Sequence, residues 1–308
     1  MLATALLYID MINALKGILL PTTTPFDSNG RISASGITSN IKDWTARGVT
    51  GFVVLGSTGE RVHLDEREYL EVIEVSRAAS ESVLIVGAGQ QSTVGTVTEI
   101  KNAARAGAEA VLVITPYFYR PAITQETLIS YYTAVADEAP VPVLLYSMPP
   151  LTSIKIEPET VARLSEHPNI IGVKDSSNDV AGFRRTVELC PRDFALMTGN
   201  GTVLLDALRA GATGGILAVG CVVPEVCVEI FRLFGGGELE PAEALQKGLT
   251  PLAAAVTTKY GIGGLKAALD LVGYRGGRVR APLRSPDDGA RAEIKAVLDR
   301  ITRFAGFT

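Results

Sequence analysis

Eight short, almost uninterrupted apolar runs recur along the chain: GILLP from residue 17, GFVVLG from 51, VLIVGAG from 83, AVLVITP from 110, VPVLLY from 141, IIGVK from 170, FALMTG from 194 and GGILAVG from 214. They are too short for ordinary helices. They also lack the strict alternation of a strand with one wet face, so they read as parallel strands covered on both sides. The stretches between them are helical in period. In TQETLISYYTAVADEA, Leu128, Tyr131, Tyr132 and Val135 fall at i, i+3, i+4 and i+7, and Thr124 can cap the start. Asp65 followed by Glu68 has the form of a capping box, and Pro158 suits a first helical turn. Eight strand–helix alternations in roughly 200 residues predict a (β/α)8 TIM barrel of the α/β class. A doubly wound sheet is the less favoured alternative, because no GxGxxG follows the first strand.

Beyond the eighth run the sequence turns helical: PEVCVEIFRLF, PAEALQKGLTPLAAAV, GLKAALDLV and a charged segment from 286, with GGGE at 235–238 as a loop. The expected organisation is an N-terminal extension over 1–15, a catalytic barrel over 16–223 and a C-terminal helical region over 224–308. The first 15 residues carry Asp10 and lack a basic start or a small-residue cleavage site, which argues against a signal peptide. A net charge of −4 gives no general attraction to nucleic acid or to an anionic membrane, so an anionic substrate needs a local site. Cys190, Cys221 and Cys227 form no CxxC pair and fit a reducing cytoplasm. His63 and His167 lie far apart, with no cysteine cluster or acidic loop nearby, so neither a catalytic metal nor another cofactor is expected.

In such barrels the active site is built where the strands end. The residues that follow the apolar runs are Thr22 to Thr24, Gly56 to Glu60, Gly89 to Gln91, Thr115 to Tyr117, Tyr146, Lys174, Gly199 to Gly201 and Ala218 to Gly220. The set is hydroxyl-rich, and Lys174 is its one cation. Lysine is rarely buried without a partner or a task. Desolvation at a strand end favours the neutral amine, and a neutral amine is a nucleophile, so IIGVKDSS suggests a Schiff base; the plain alternative is a strand-end lysine reaching solvent. In GSTGE, the turn after the second run, the exposed N–H groups of Gly56 and Gly59 can hold a carboxylate while Ser57 and Thr58 add hydroxyl donors. Tyr146, ending the fifth run, offers a phenol that can shuttle a proton.

Taken together, GSTGE at 56–60, TPYFYRP at 115–121, LLYSMPP at 144–150 and GVKDSS at 172–177 resemble, in order and spacing, the signature segments of the dihydrodipicolinate synthase and N-acetylneuraminate lyase family. The resemblance extends from Lys16 to Leu283. In YFYRP, LLYSMPP and the closing GLKAALDLVGYRGGRVRAPL it is nearest to the 4-hydroxy-2-oxoglutarate aldolase branch. It implies that Lys174 attacks the keto carbon of pyruvate or a larger 2-oxo acid, that Tyr146 and Ser57 serve proton transfer, and that Thr58 holds the carboxylate. It also implies that Tyr117 belongs to the substrate site and that Gly199 and Ile216 frame the pocket. Ser176, with Ser177 and Asn178, is a candidate to hydrogen-bond a hydroxylated substrate, and a plain polar βα loop explains the three residues equally well. The partners implied are pyruvate and an aldehyde, and the assembly implied is a homotetramer or dimer.

Two positions depart from the synthase pattern. Synthases of the family carry a second tyrosine after the fourth strand, reaching the neighbouring subunit's site; here Phe118 holds that place, between Tyr117 and Tyr119. They also carry an arginine for the aldehyde's carboxylate, where this chain has Leu151; Arg120 is a candidate substitute, with an ordinary surface-loop arginine as the plain alternative. The expected function is therefore a class I pyruvate-dependent aldolase that cleaves or forms a 4-hydroxy-2-oxo acid. The alternatives are 4-hydroxy-tetrahydrodipicolinate synthase, condensing pyruvate with aspartate semialdehyde, and a non-catalytic oxo-acid-binding protein.

Overall fold

The structure is a computed structural model that describes residues 11–305, so positions 1–10 of the expected N-terminal extension lie outside the described residues. Every apolar run is a strand: β1 (Ile18–Pro21), β2 (Gly51–Val54), β3 (Val83–Ala88), β4 (Ala110–Ile114), β5 (Val143–Ser147), β6 (Ile170–Asp175), β7 (Ala195–Thr198) and β8 (Gly214–Ile216). Neighbours in sequence pair in parallel, and β8 pairs back onto β1 through Ile18↔Gly215 and Leu19↔Ile216. The result is a closed eight-stranded (β/α)8 TIM barrel. Continuous apolarity in the strands is explained by what covers them, since closure buries one face of each strand in the lumen and helices bury the other.

The connecting helices start where their capping residues stand. Asp65 accepts from the Glu68 N–H (2.8 Å) while the Glu68 carboxylate accepts from the Asp65 N–H (3.2 Å), closing the capping box ahead of Glu66–Ala79. Thr124 accepts from the Thr127 N–H ahead of Gln125–Glu138, and Pro158 opens Pro158–Leu164.

Three apolar clusters make the core. One fills the lumen and includes Leu19, Val53, Ile85, Leu144, Met197 and Ile216; Met11 and Leu15, just ahead of β1, pack into it and form the floor at the N-terminal end of the strands. The other two lie between strands and outer helices, one around Trp44, Phe52 and Leu249, the other around Tyr132, Val113 and Phe194. Each fully buried leucine or valine contributes about 1.5–3 kcal/mol relative to exposure.

After β8 the helix Pro224–Gly235 runs beside β1 and Leu204–Ala210. Leu239–Ala254 follows, continues through a π-helical turn at Ala255–Lys259, and gives way to Gly261–Leu271; Asp288–Ala305 packs across both helices. Between the last two helices the chain returns to the barrel's upper rim, where the Arg278 N–H donates to Phe26 O (3.1 Å). This return positions part of the site. None of the described helices is long and apolar enough to cross a membrane.

Candidate active site

Register sets the centre of the site. Parallel pairing places Tyr146 of β5, Lys174 of β6 and Met197 of β7 side by side near the upper ends of their strands. Lys174 is 4% exposed, and its Nζ lies 4.5 Å from the centroid of the Tyr146 ring, a cation–π distance when the amine is charged. The neighbouring Asp175 does not pair with it. That carboxylate accepts from the Ser177 N–H (2.6 Å), and burial pushes its pKa above the ordinary aspartate value.

Room for the lysine comes from a missing side chain. A Cβ on Gly199 would lie 1.9 Å from Ser176 Oγ and 2.7 Å from Lys174 Cε, far inside van der Waals contact. The Gly199 N–H donates to Asp175 O (2.6 Å), which holds the end of β7 against β6 at that approach. Gly199 and Ser176 therefore shape the space around Lys174.

The GSTGE segment makes a single 3-10 turn at Ser57–Gly59, directly after β2. Two non-glycine residues in the left-handed region bracket it, Leu55 at φ 59 and Glu60 at φ 55. Such conformations cost about 1–3 kcal/mol each and persist only where the surroundings hold them. Around Glu60 the restraints are explicit. Its Oε1 lies 2.5 Å from Lys266 Nζ, with both side chains 1% exposed; its Oε2 accepts from the Arg280 N–H (2.9 Å) and stands 3.2 Å from His63 Nδ1. Lys266 also donates to Thr24 O (2.7 Å) and Arg278 O (2.6 Å), and Thr24 Oγ1 donates to Gly59 O (2.8 Å). The turn is thus fixed from below, and Ser57 Oγ is left 3.5 Å from Tyr146 Oη. That hydroxyl pair can relay a proton after a small adjustment.

Above this floor opens a cavity of about 330 Å³. Of the residues expected from sequence, Gly56, Ser57, Tyr117 and Tyr146 line it. Lys174, Ser176 and Gly199 do not line it, Lys174 Nζ lying against the Tyr146 ring; Thr58 and Gly59 are buried within the turn, and Ile216 is fully buried in the lumen. Phe118 is 69% exposed and stacks edge-to-face on Tyr119, 5.0 Å between centroids, while the backbone N–H groups of Tyr117 and Phe118 both donate to Gln91 Oε1 (2.9 Å). Leu151 is on the cavity wall, whereas Arg120 is exposed outside it and makes only a long contact to Ser153 Oγ (3.4 Å).

The cavity has further walls that the strand-end reasoning passed over: Arg61, Val62 and His63 from the second βα loop, and Ile262 and Leu283 from the C-terminal region. The loop residues were in reach, since they directly follow GSTGE. Nothing local in the sequence marks Ile262 and Leu283, which arrive by tertiary folding.

A sequence profile of the Dihydrodipicolinate synthetase family matches residues 14–301. A 4-hydroxy-tetrahydrodipicolinate synthase from Methanothrix thermoacetophila is 31% identical over 292 residues, covering 94% of this chain and 98% of the relative. Among solved structures, dihydrodipicolinate synthase from Thermotoga maritima superposes with a TM-score of 0.89 at 30% identity, covering 93% of this chain and 98% of that one. A prophage protein of the family from E. coli K12, solved in complex with pyruvate, gives 0.87 at 28% identity, covering 93% and 98%. With a family match over nearly its whole length and the barrel to go with it, the chain belongs to the dihydrodipicolinate synthetase family and is a carbon–carbon lyase of the kind that works through a lysine Schiff base.

Proposed function

We propose that this enzyme is a pyruvate-dependent aldolase acting on 4-hydroxy-2-oxo acids, with Lys174 as the Schiff-base residue. The neutral amine of Lys174 attacks C2 of the oxo acid, and loss of water leaves an iminium. Tyr146, relayed by Ser57, takes the proton of the 4-hydroxyl. The C3–C4 bond breaks, its electron pair passes into the enamine, and the aldehyde departs. Protonation at C3 and hydrolysis of the imine then release pyruvate and restore the lysine. Thr58 and the N–H groups of the GSTGE turn are assigned to the substrate carboxylate, and Ser176 to the substrate's hydroxyl side.

The observation that carries this reading is Leu151 on the cavity wall, where a synthase is expected to carry an arginine. The arginine that does line the cavity, Arg61, has its Nη2 engaged with protein, 2.6 Å from Glu99 Oε2 and donating to Gly89 O (2.8 Å), while its Nε is buried without a partner. Binding a semialdehyde carboxylate without a free guanidinium forfeits a charge-assisted interaction of about 1.5–3 kcal/mol. The second reading, 4-hydroxy-tetrahydrodipicolinate synthase, is favoured by the names of the curated relatives, which are 31–35% identical to this chain. On that point the relatives and the cavity wall pull in opposite directions.

Two measurements test the assignment. Incubation with pyruvate and borohydride, read by intact mass, should add one adduct to the wild type and none to Lys174→Ala; an adduct on the variant moves the Schiff base to another of the nine lysines. Side-by-side kcat/KM values for cleavage of 4-hydroxy-2-oxo acids and for condensation of pyruvate with aspartate semialdehyde decide between the readings. Condensation faster than every cleavage by tenfold or more reverses the proposal in favour of the synthase.

A further inference from the structure

The loop that follows β7 borders Lys174 and is itself held by a helix of the C-terminal region. The Gly199 backbone comes so near that a Cβ there would lie 2.7 Å from Lys174 Cε, and its N–H donates to Asp175 O (2.6 Å). Two residues on, Gly201 is wedged between elements. A Cβ on it would stand 2.6 Å from Val219 Cγ1, just past β8, and 3.3 Å from Ala253 Cβ on the helix Leu239–Ala254. The same helix carries Gln246. Its Nε2 lies 3.0 Å from Gly201 O, 3.3 Å from Thr202 O and 3.1 Å from Thr250 Oγ1, and its Oε1 accepts from the Leu205 N–H (3.0 Å). The helix Leu204–Ala210 has no side-chain cap of its own, so Gln246 Oε1 supplies from another element what a capping residue would. The amide fits only this way round, since a flip would set its oxygen against two carbonyls and its NH2 against an N–H. One side chain thus ties down both halves of the junction between the loop and its helix, two residues from the backbone that borders Lys174.

We infer that Gln246 is a positioning residue for the Schiff-base lysine: the hydrogen bonds it donates to Gly201 O and Thr202 O set how closely the Gly199 backbone approaches Lys174. Gln246 acts through the loop and takes no part in bond making. The inference rests on Lys174 as the residue that forms the imine. A loop freed from these bonds shifts against the lysine, and a misplacement of about 1 Å costs a reacting group up to about 10²-fold.

The test is a time course. Wild type, Gln246→Leu and Gln246→Glu are mixed with saturating pyruvate, quenched with borohydride at timed intervals and read by intact mass, with the adduct mapped by peptide digestion. The rate constant for adduct formation belongs to the folded molecules, whereas unfolded enzyme lowers only the amplitude. Gln246→Leu keeps much of the volume and removes the polar contacts. Gln246→Glu retains an acceptor for the Leu205 N–H but turns a carboxylate toward the two loop carbonyls. Both should lower the rate constant by about tenfold or more. Asn169→Ala, which removes bonds donated to Ala136 O (3.0 Å) and Ala139 O (3.0 Å) at the opposite end of β6 from Lys174, should leave it unchanged. An unchanged rate constant in Gln246→Leu, whatever its Tm, overturns the inference. So does a wild-type rate constant in Gln246→Glu, because the cap on Leu205 would then be the part that matters, and so does an equal fall in Asn169→Ala, which would make the effect one of general stability. A wild-type adduct mapped to a lysine other than Lys174 overturns the Schiff-base assignment and this inference together.

Discussion

Replacing Lys266 by methionine removes a charge while keeping most of the volume, and the structure fixes what should follow. The wild-type amine lies 2.5 Å from Glu60 Oε1 and 4.4 Å from the Phe26 ring centroid, and it donates to two backbone carbonyls, those of Thr24 and Arg278. Methionine keeps the contact with Phe26 and strands the Glu60 carboxylate where 1% of its side chain meets solvent. Removing one partner of a buried ion pair costs about 3–5 kcal/mol. The lost hydrogen bonds to carbonyls add to that cost. Desolvation, which holds the Lys266 pKa below the ordinary lysine value, offsets part of it, and about 3–5 kcal/mol is the net expectation. At about 2 °C per kcal/mol for a chain of this size, Tm should fall by roughly 6–10 °C in calorimetry at pH 7. The double variant Lys266→Met/Glu60→Gln, which buries no net charge at this site, should recover a clear part of the loss. The sign with pH also follows. Because the folded-state pKa lies below the unfolded value of 10.5, the unfolded chain holds the extra proton between the two values, so wild-type stability attributable to this group rises with pH across that window; Lys266→Met should lack that rise. A Tm loss below about 2 °C, or a double variant no more stable than the single one, would refute the argument that this pair holds the turn.

Two further outcomes follow from distances at the centre of the site. Gly199→Ala places a methyl 1.9 Å from Ser176 Oγ and 2.7 Å from Lys174 Cε, so borohydride trapping of pyruvate should fall at least tenfold while the melting curve stays cooperative; undiminished trapping would show that the lysine does not react from this position. Tyr146→Phe keeps the ring beneath Lys174 Nζ and removes the hydroxyl 3.5 Å from Ser57 Oγ; stopped-flow and steady-state assays should find the pyruvate adduct still forming and kcat lowered by about 10²–10⁴, and an unchanged kcat would leave Tyr146 a packing residue.

The barrel was legible because its signal is local. Each strand announces itself as a few contiguous apolar residues, and each helix as a 3.6-residue period behind a cap such as Asp65 or Thr124, so no knowledge of distant contacts is needed. The strand-end rule then singled out Lys174, Tyr146 and the GSTGE turn. What the rule cannot supply is depth. In sequence Lys174 and Tyr117 look equivalent, both following apolar runs, yet one packs against the Tyr146 ring without lining the cavity and the other is on its wall. Lys266 was hidden more thoroughly. Within GLKAALDLV it reads as an ordinary polar position on a helix, and its task is visible only once Glu60, 206 positions earlier, stands beside it (266 − 60). In sequence His63 is a histidine without evident partners, and in the fold its Nδ1 stands 3.2 Å from the Glu60 carboxylate three residues away. Such pairings are set by which faces meet after folding, and that information is spread over the whole chain.

The floor formed by Met11 and Leu15 has a kinetic consequence. One end of the lumen is closed by packed side chains, so reactants and products of the proposed reaction pass through the cavity at the opposite rim. In the proposed reaction the pyruvate fragment stays bonded to Lys174 until the imine is hydrolysed, so through that shared passage the free fragment must clear before the bonded one. In the proposed cleavage the aldehyde is released first and pyruvate second; in the reverse direction pyruvate must bind before the aldehyde can be of use. An ordered sequence of arrivals and departures is thus what the proposed covalent intermediate and the plugged cylinder together imply, independent of which aldehyde the enzyme takes.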